Sequence, residues 1–568
     1  MQNGTQVLPV VVPPTRRYAR LAMHARRLQP STTSRARAGR LRGLGRQALL
    51  LAVPSLLAAC NHGCGSSGRR PSAKIVVPRG SAAPDAPFES VGDCAPGSGR
   101  DHPVGPGQKY TTIGDVPWEK LEAGDTVRIH HRPEPYKEKF MVGSVGTKDA
   151  PIRVCGVKGP KGELPVIDGD GATTRPSLEY PYDGHQPRGL VFIGHRRSSP
   201  WLEQPSHIVI EGLEIRNAEP TRAFFDKNGQ RTAWPELAAG IFVQRGSHIT
   251  IRGCHVHSNG NGLFIGSGGG DELTQDVLIE GNHVHGNASP KNWFEHNVYN
   301  EASGVVYQFN RFGPPRKGPE GYLGGNIKER SAGVVIRYNW IEDGAHLIDL
   351  VDSQEARDRN LPDPAFHESW VYGNILVRGG QASGSMVHYG GDSGLLETYR
   401  KGTLHFFHNT VLVLNGSHEE WQTTAVFELS TNDQRLDMRN NVIATEVPSV
   451  PRRPTVLLGA RDQVVAGIAD LSGNWIAEDV SGFEGFAGKE PKRMAVLNGL
   501  DRALRGADPM FADLAKLDLR PSASAPLNGK GVGIAPGMHA VTMQYVKHGR
   551  GEPRPKEDPP TPGALGSR

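Results

Sequence analysis

Lys328 and Arg330 stand on either side of one glutamate in the stretch GGNIKERSAGVVIRYNWIEDG, Gly324 to Gly344. Alternate residues of an extended chain share a face. With Ile327, the one apolar residue of NIKERS, turned toward a core, Asn326, Lys328 and Arg330 point away from it together. Neighbouring segments offer similar sets. EHNVYNEASG places Asn297, Tyr299 and Glu301 opposite Val298, with Glu295 and His296 at the strand edge. HLIDLVDS offers His346, Asp349 and Asp352; SMVHYGGD offers His388 or Tyr389, and Asp392; VFELS offers Glu428. Such a set supports β-elimination in a uronate polymer. Cations hold the carboxylate while its α-carbon loses a proton, a base takes that proton, and an acid protonates the departing oxygen.

Lys328 is the predicted base, since a guanidinium such as Arg330 gives up its proton only above about pH 12. Arg330 then binds the uronate carboxylate, in a charge-assisted bond. Tyr299 or His296 protonates the leaving oxygen. Asn297, Asn326, Asp352 and His388 are predicted substrate contacts. Glu301 and Asp349 orient the cations or hold a calcium ion, which prefers oxygen ligands. Two other functions stay open. Glycoside hydrolysis needs two carboxylates about 5–9.5 Å apart, which Asp349 with Asp352, or Glu301 with Asp349, would supply. A non-catalytic carbohydrate-binding solenoid is the other. The plainest reading is a solvated strand face with salt bridges from Lys328 to Asp349 or Glu301.

Something must stack these segments in phase, and a repeat does so. The frames IVIEGLEI, ITIRGCHV, VLIEGNHV, VVYQFNRF, VVIRYNWI, WVYGNILV, LHFFHNTV, LDMRNNVI and ADLSGNWI begin at residues 208, 249, 277, 305, 334, 370, 404, 436 and 469. Their sixth places, or the fifth in WVYGNILV, hold Leu213, Cys254, Asn282, Asn310, Asn339, Asn374, Asn409, Asn441 and Asn474. Period-two alternation means strands with one buried face. A repeat of about 30 residues with some three short strands suits one coil of a parallel solenoid. An inward Asn at each turn can bond the next coil's Asn, satisfying amides that would otherwise be buried unpaired.

These frames resemble the right-handed parallel β-helix, or pectate-lyase-like, superfamily, over about residues 104–530. The resemblance implies an all-β fold, a single right-handed parallel β-helix with an inward Asn ladder. VGPGQKYTTIGDVPWEKLEAGDTVRIHH looks like its opening coils and GADPMFADLAKLDLRPSASAPLNGKG like its closing coil. RSAGVVIRYN is similar to a segment of polysaccharide lyase family six, the alginate lyase and chondroitinase B group. Aligning Ser331 and Ile336-Arg337-Tyr338-Asn339 puts Arg330 where that family has its lysine base. The family's calcium glutamates fall on Leu323 and Gly325, and HLIDLVDS lacks its second catalytic arginine.

Composition supports an exported protein. The chain has 568 residues and a net charge of +6, with 71 Gly and 44 Pro. Residues 1–59 carry ten Arg and no Lys, Asp or Glu; the remainder has 55 basic against 59 acidic residues. The basic excess therefore belongs to the leader, and nucleic acid is not an expected partner. Arg42 and Arg46 precede an apolar run from Ala48 to Ala59, too short to span a bilayer. Leu57-Ala58-Ala59-Cys60 resembles a bacterial lipobox, which implies lipidation of Cys60 and a membrane anchor. Asn61 follows, so an outer-membrane or cell-surface lipoprotein is expected, with a periplasmic or secreted protein as the variant without the anchor. Residues 60–103 read as a tether, and 531–568 as a tail largely disordered after 546. Cys94 and Cys155 are the expected disulfide in an oxidising compartment, and Cys254 an expected buried thiol. No Cys/His spacing reads as a zinc site. An acidic polysaccharide is the expected partner, and a monomer the expected state.

Overall fold

The computed structural model describes residues 85–567 apart from 320, 381–383, 415–423, 447–454, 462–463, 484–491 and 535–536. Cys60, Cys64 and the leader lie outside the described residues. Three parallel sheets of 13, 11 and 11 strands stack coil upon coil. Each coil gives one strand to each sheet in turn. Ser206–Glu211, Ser247–Arg252, Gln275–Glu280 and Ser303–Gln308 are neighbours in the first sheet. Glu214–Arg216, His255–His257, His283–His285 and Arg311–Phe312 are neighbours in the second. Ala239–Val243, Asn261–Ile265, Val298–Asn300, Ile327–Glu329, Ile348–Leu350 and Val387–Tyr389 run through the third.

Register explains the frame. Ile210, Ile251, Ile279, Tyr307, Ile336 and Val371 lie side by side across the first sheet. All six are fully buried, and each large apolar side chain contributes about 1.5–3 kcal/mol by leaving water. The fold is a right-handed parallel β-helix, as the repeat predicts.

The Asn ladder is continuous. The Asn282 amide donates to Asn310 Oδ1 at 3.0 Å, Asn310 to Asn339 at 2.9 Å, and Asn339 to Asn374 at 2.9 Å. Asn374 continues to Asn409, Asn409 to Asn441, and Asn441 to Asn474. Each Oδ1 also accepts the backbone N–H of the preceding ladder residue, as Asn310 does from Asn282. The residue before each ladder position is left-handed, with φ between 50° and 66°. Glycine fills five of those nine places. Phe309, Tyr338, His408 and Asn440 fill the rest, at a cost of about 1–2 kcal/mol each. That turn swings the chain from the first sheet into the second. The IRYN motif therefore belongs to the wall: Ile336 is core, Asn339 is ladder, and Arg337 donates to Gln308 on the outer face of the first sheet.

Two boundaries differ from the expectation. The first strand, Asp101–Val104, opens the first sheet within the expected tether. The C-terminal segment is a folded part of the structure, not a disordered tail. Met543–Val546 and Arg550–Pro553 pair as a hairpin. Met543 packs with Val306, Phe309, Val335, Tyr338 and Trp370 on the outside of the solenoid, and Ala564 is fully buried. Proline and charge suggest disorder by composition, but an aromatic outer face needs a cover, and this segment brings apolar groups to it. Phe88 stacks on Phe309 at 5.8 Å and pairs with Gly551, so part of the expected tether is docked as well. The Cys94–Cys155 disulfide is present, and Cys254 is a buried free thiol within the ladder. Among the described residues, no helix is long and apolar enough to cross a membrane.

Candidate functional site

The third sheet carries one unbroken outward column. Phe192, Phe242, Phe264, Tyr299, Lys328, Asp349, His388 and Glu428 are partners in register on successive strands. Valine, isoleucine, leucine and phenylalanine precede them on the inward face: Val298, Ile327, Ile348, Val387 and Phe427 are fully buried. Alternation does the positioning, and parallel pairing sets the spacing at about 4.8 Å. The column changes character along its length. Its first half is aromatic, with ring centroids 5.4 Å apart for Phe192–Phe242, 5.3 Å for Phe242–Phe264 and 4.6 Å for Phe264–Tyr299. Its second half is ionic.

Lys328 is the hub of the ionic half. Its Nζ donates to Asp349 Oδ2 at 2.5 Å and to Asp392. Asp349 turns its other oxygen to His388 Nδ1 at 2.7 Å, and His388 Nε2 lies 3.0 Å from the Ser430 hydroxyl. Glu428 closes the column, accepting from Arg461 at 3.1 Å. Burial works against the Asp349 charge, yet Lys328, His346 and His388 hold its carboxyl well below the usual range. Burial likewise opposes Asp392, and Arg330 with Lys328 overcomes it. Arg330 lies beyond its strand's end. Its guanidinium donates to the Asp352 carbonyl at 2.5 Å and to Asp392 Oδ1 at 3.2 Å, and faces the Tyr299 ring at 5.7 Å. Asp392 thus rests on both cations. It belongs to the turn after Val387–Tyr389, bounded by Gly390 at φ 142° and Gly394 at φ 80°.

Tyr299, Lys328, Arg330, Asp349 and His388 therefore come together as expected, with His388 rather than Tyr389 outward. The expected Lys328–Asp349 salt bridge is present. Tyr299 donates to Glu355 at 3.1 Å, and burial pushes its hydroxyl pKa up, so the ring keeps its proton.

Other assignments need correction. Asn297 and Asn326 are fully buried, facing inward at the turn before their strands. They form a second ladder: Asn259 donates to Asn287, Asn287 to Asn297 at 2.9 Å, and Asn297 to Asn326 at 2.5 Å. Strand alternation does not extend into a turn, so the phase argument fails there. They are structural amides, not substrate contacts. His296 accepts the Gly325 N–H on Nδ1 at 3.0 Å, and burial followed by Lys328 holds it down to about 3. A ring so placed is neutral, with one nitrogen already committed to the turn. Asp352 is fully buried and accepts the Asp392 N–H at 2.9 Å, so it anchors the turn rather than meeting substrate.

Glu301 is also inward of the groove. Its Oε1 accepts from Ser353 Oγ at 2.7 Å, Gln354 N at 2.5 Å and Ala356 N at 3.0 Å. Burial raises its carboxyl to about 7, against the pull of Arg330 and these donors. Glu301, one of the two expected calcium ligands, has its Oε1 committed to these loop donors. Among the described residues, the group of converging ligands that contains Asp349 is His346, Asp349 and His388. Two imidazoles and one carboxylate do not suit a hard cation that takes six to eight oxygens. With Glu301 and Asp352 committed to loops, neither expected hydrolase pair is available; Asp349 and Asp392 are the carboxylates that share the hub.

Sequence reasoning missed Arg461 and the aromatic half. Arg461 comes from a turn beyond Thr455–Leu458, with no strand phase to mark it. The aromatic column was visible in principle, since LVFIG, GIFVQ and GLFIG repeat one aromatic at one phase.

Residues 201–443 match the family model described as a right handed beta helix region. No curated protein matches the chain. Among solved structures, pectate lyase Pel9A is similar at a TM-score of 0.41 and 12% identity, over 83% of this chain and 97% of that one. An alginate lyase from Paenibacillus sp. follows at 0.33 and 12%, over 64% and 92%. The pectin methylesterase of Aspergillus niger gives 0.26 and 12%, over 76% and 96%. The family match and the three stacked sheets agree on a right-handed β-helix.

Proposed function

We propose that this β-helix is a polysaccharide-acting enzyme, and specifically a lyase that cleaves an acidic, uronate-containing chain by β-elimination. One observation carries the reading. The Asp392 carboxylate rests on Lys328 and Arg330, beside an outward aromatic column, and so stands where a uronate carboxylate would be held. The glycine-bounded turn lets Asp392 withdraw and the substrate carboxylate take its place. Arg330 then binds that carboxylate and stabilises the charge that develops as the α-proton leaves. Lys328, released from Asp392, passes one ammonium proton to solvent and, as the neutral amine, takes the α-proton. Tyr299, adjacent in register and protonated, donates to the leaving oxygen. Phe264 and Tyr299, stacked on each other at 4.6 Å, offer aromatic surface to neighbouring sugars.

Hydrolysis is the second reading, favoured by Asp349 and Asp392 sharing one lysine. Two carboxylates that bond the same nitrogen lie within about 6 Å of each other, close to the spacing of retaining hydrolases. The Cys94–Cys155 disulfide supports export, and we place the protein at the membrane through a lipid on Cys60.

The test is incubation with a panel of acidic polymers while following the ultraviolet absorbance of an unsaturated uronate. Elimination creates that chromophore. New reducing ends without it select hydrolysis, and binding with neither selects a carbohydrate-binding module. Full elimination activity in both Lys328→Ala and Arg330→Ala rejects the site.

A further inference from the structure

The second sheet carries histidines that the groove does not use. His255-Val256-His257 and His283-Val284-His285 are paired strands in which His255 faces His283 and His257 faces His285. Val256 and Val284 are fully buried, so all four rings project outward. The preceding strand sets Glu214 beside His255 and Arg216 beside His257. The rings lean together. His255 has its centroid 4.9 Å from both His283 and His285, and His283 lies 4.2 Å from His285. His255 Nε2 and His285 Nε2 are only 2.7 Å apart. At that distance the two nitrogens share one proton, so at least one ring is neutral there.

The remaining groups have settled partners. His257 has both nitrogens engaged, with the Ser258 hydroxyl at 3.0 Å and Glu214 at 3.3 Å. Arg216 bonds Asp168 at 2.9 Å and Glu214 at 2.8 Å. Arg311, next to His283 in register, pairs with Glu342 at 3.3 Å. Ligand nitrogens of His255, His283 and His285 lie within 4.8 Å of one another. His283 and His548 also line a cleft of about 390 Å³, which gives an approach from solvent.

We propose that His255, His283 and His285 form a binding site for a zinc-class divalent transition metal, on a face of the solenoid separate from the groove. Imidazole nitrogens suit such ions, and three of them leave a fourth tetrahedral position open. Zinc–nitrogen bonds of about 2.0–2.1 Å set tetrahedral ligand nitrogens about 3.3 Å apart, so the facing His255 and His285 nitrogens part and His283 closes on them from within 4.8 Å. Glu214, whose Oε2 is 4.0 Å from His255 Nδ1, supplies the nearby carboxylate that orients a metal-bound imidazole. The site is absent from short-range Cys/His spacing because the two H-x-H pairs are 28 residues apart; one turn of the solenoid brings them together.

The experiment is a calorimetric titration of the chelator-stripped, full-length protein with Zn²⁺, paired with X-ray absorption of the loaded sample. One equivalent should bind, with imidazole scattering from three rings. Affinity should fall at least tenfold in His255→Ala and in His285→Ala, and stay unchanged in His388→Ala, which alters the other histidine cluster. Circular dichroism melts establish that each variant is folded, and His285→Gln replaces any variant that is not. No uptake, unchanged uptake in folded His285 variants, or loss of uptake in His388→Ala overturns the proposal.

Discussion

Two of the solenoid's columns of polar side chains behave in opposite ways. Inside, from Asn282 to Asn474, each amide repeats the same bonds to its neighbours. Outside, from Tyr299 to Glu428, every residue differs from the next and charge crowds on charge. Identical residues in identical environments form a self-satisfying lattice, and that is a structural device. Unlike residues at the same phase gain nothing from repetition. The third sheet holds Lys328 and Asp349 next to each other at a desolvation cost that well-packed apolar residues would avoid. Heterogeneity at a fixed phase, more than polarity itself, marks the working surface.

Breaking the outer column should show first in activity. Lys328→Ala should lower elimination on the order of 10²–10⁴-fold, the range for removing a general base, measured as initial rates of chromophore formation. Glu301→Gln tests a committed carboxyl buried inward of the groove. Its folded pKa of about 7 lies above the ordinary 4.5. The folded state therefore holds the proton more tightly, and the stability this contributes is complete below pH 4.5 and lost as pH rises through 7. Urea melts across that window should show a decline of at most about 3 kcal/mol, and Glu301→Gln should flatten it.

Breaking the inner column should show in stability. Asn339→Leu removes the amide that accepts from Asn310 and donates to Asn374 and should cost about 1–3 kcal/mol by denaturant unfolding. Asn326→Ala sharpens the comparison. It should cost about 1–3 kcal/mol for the same reason, with the KM of the folded protein unchanged. A raised KM with unaltered stability would return Asn326 to the groove.

The fold was legible because its constraints are local and repeated. A left-handed residue followed by an inward amide recurs at seven of the nine turns, and few residue types meet that need. Tyr299, Lys328, Asp349 and His388 were legible because each sits mid-strand beside a buried aliphatic residue. Asn297, Asn326 and Glu301 were misread because they lie at strand ends, where alternation stops and loop partners decide orientation. Arg461 comes from a turn with no phase at all. The C-terminal segment was misread because composition ignores what a neighbouring surface needs: Met543 matters only once the outer aromatics Phe309, Tyr338 and Trp370 are known to lie in one patch.

The central claim is that Asp392 stands in for a substrate carboxylate on Lys328 and Arg330. Isothermal titration of the folded Asp392→Asn variant with an acidic uronate oligosaccharide tests it most directly. Removing the competing charge should tighten binding about tenfold, roughly 1.4 kcal/mol, with the gain abolished when Arg330→Ala is added and no gain for a neutral oligosaccharide. Unchanged or weaker binding in Asp392→Asn, or a gain that survives Arg330→Ala, would contradict the account.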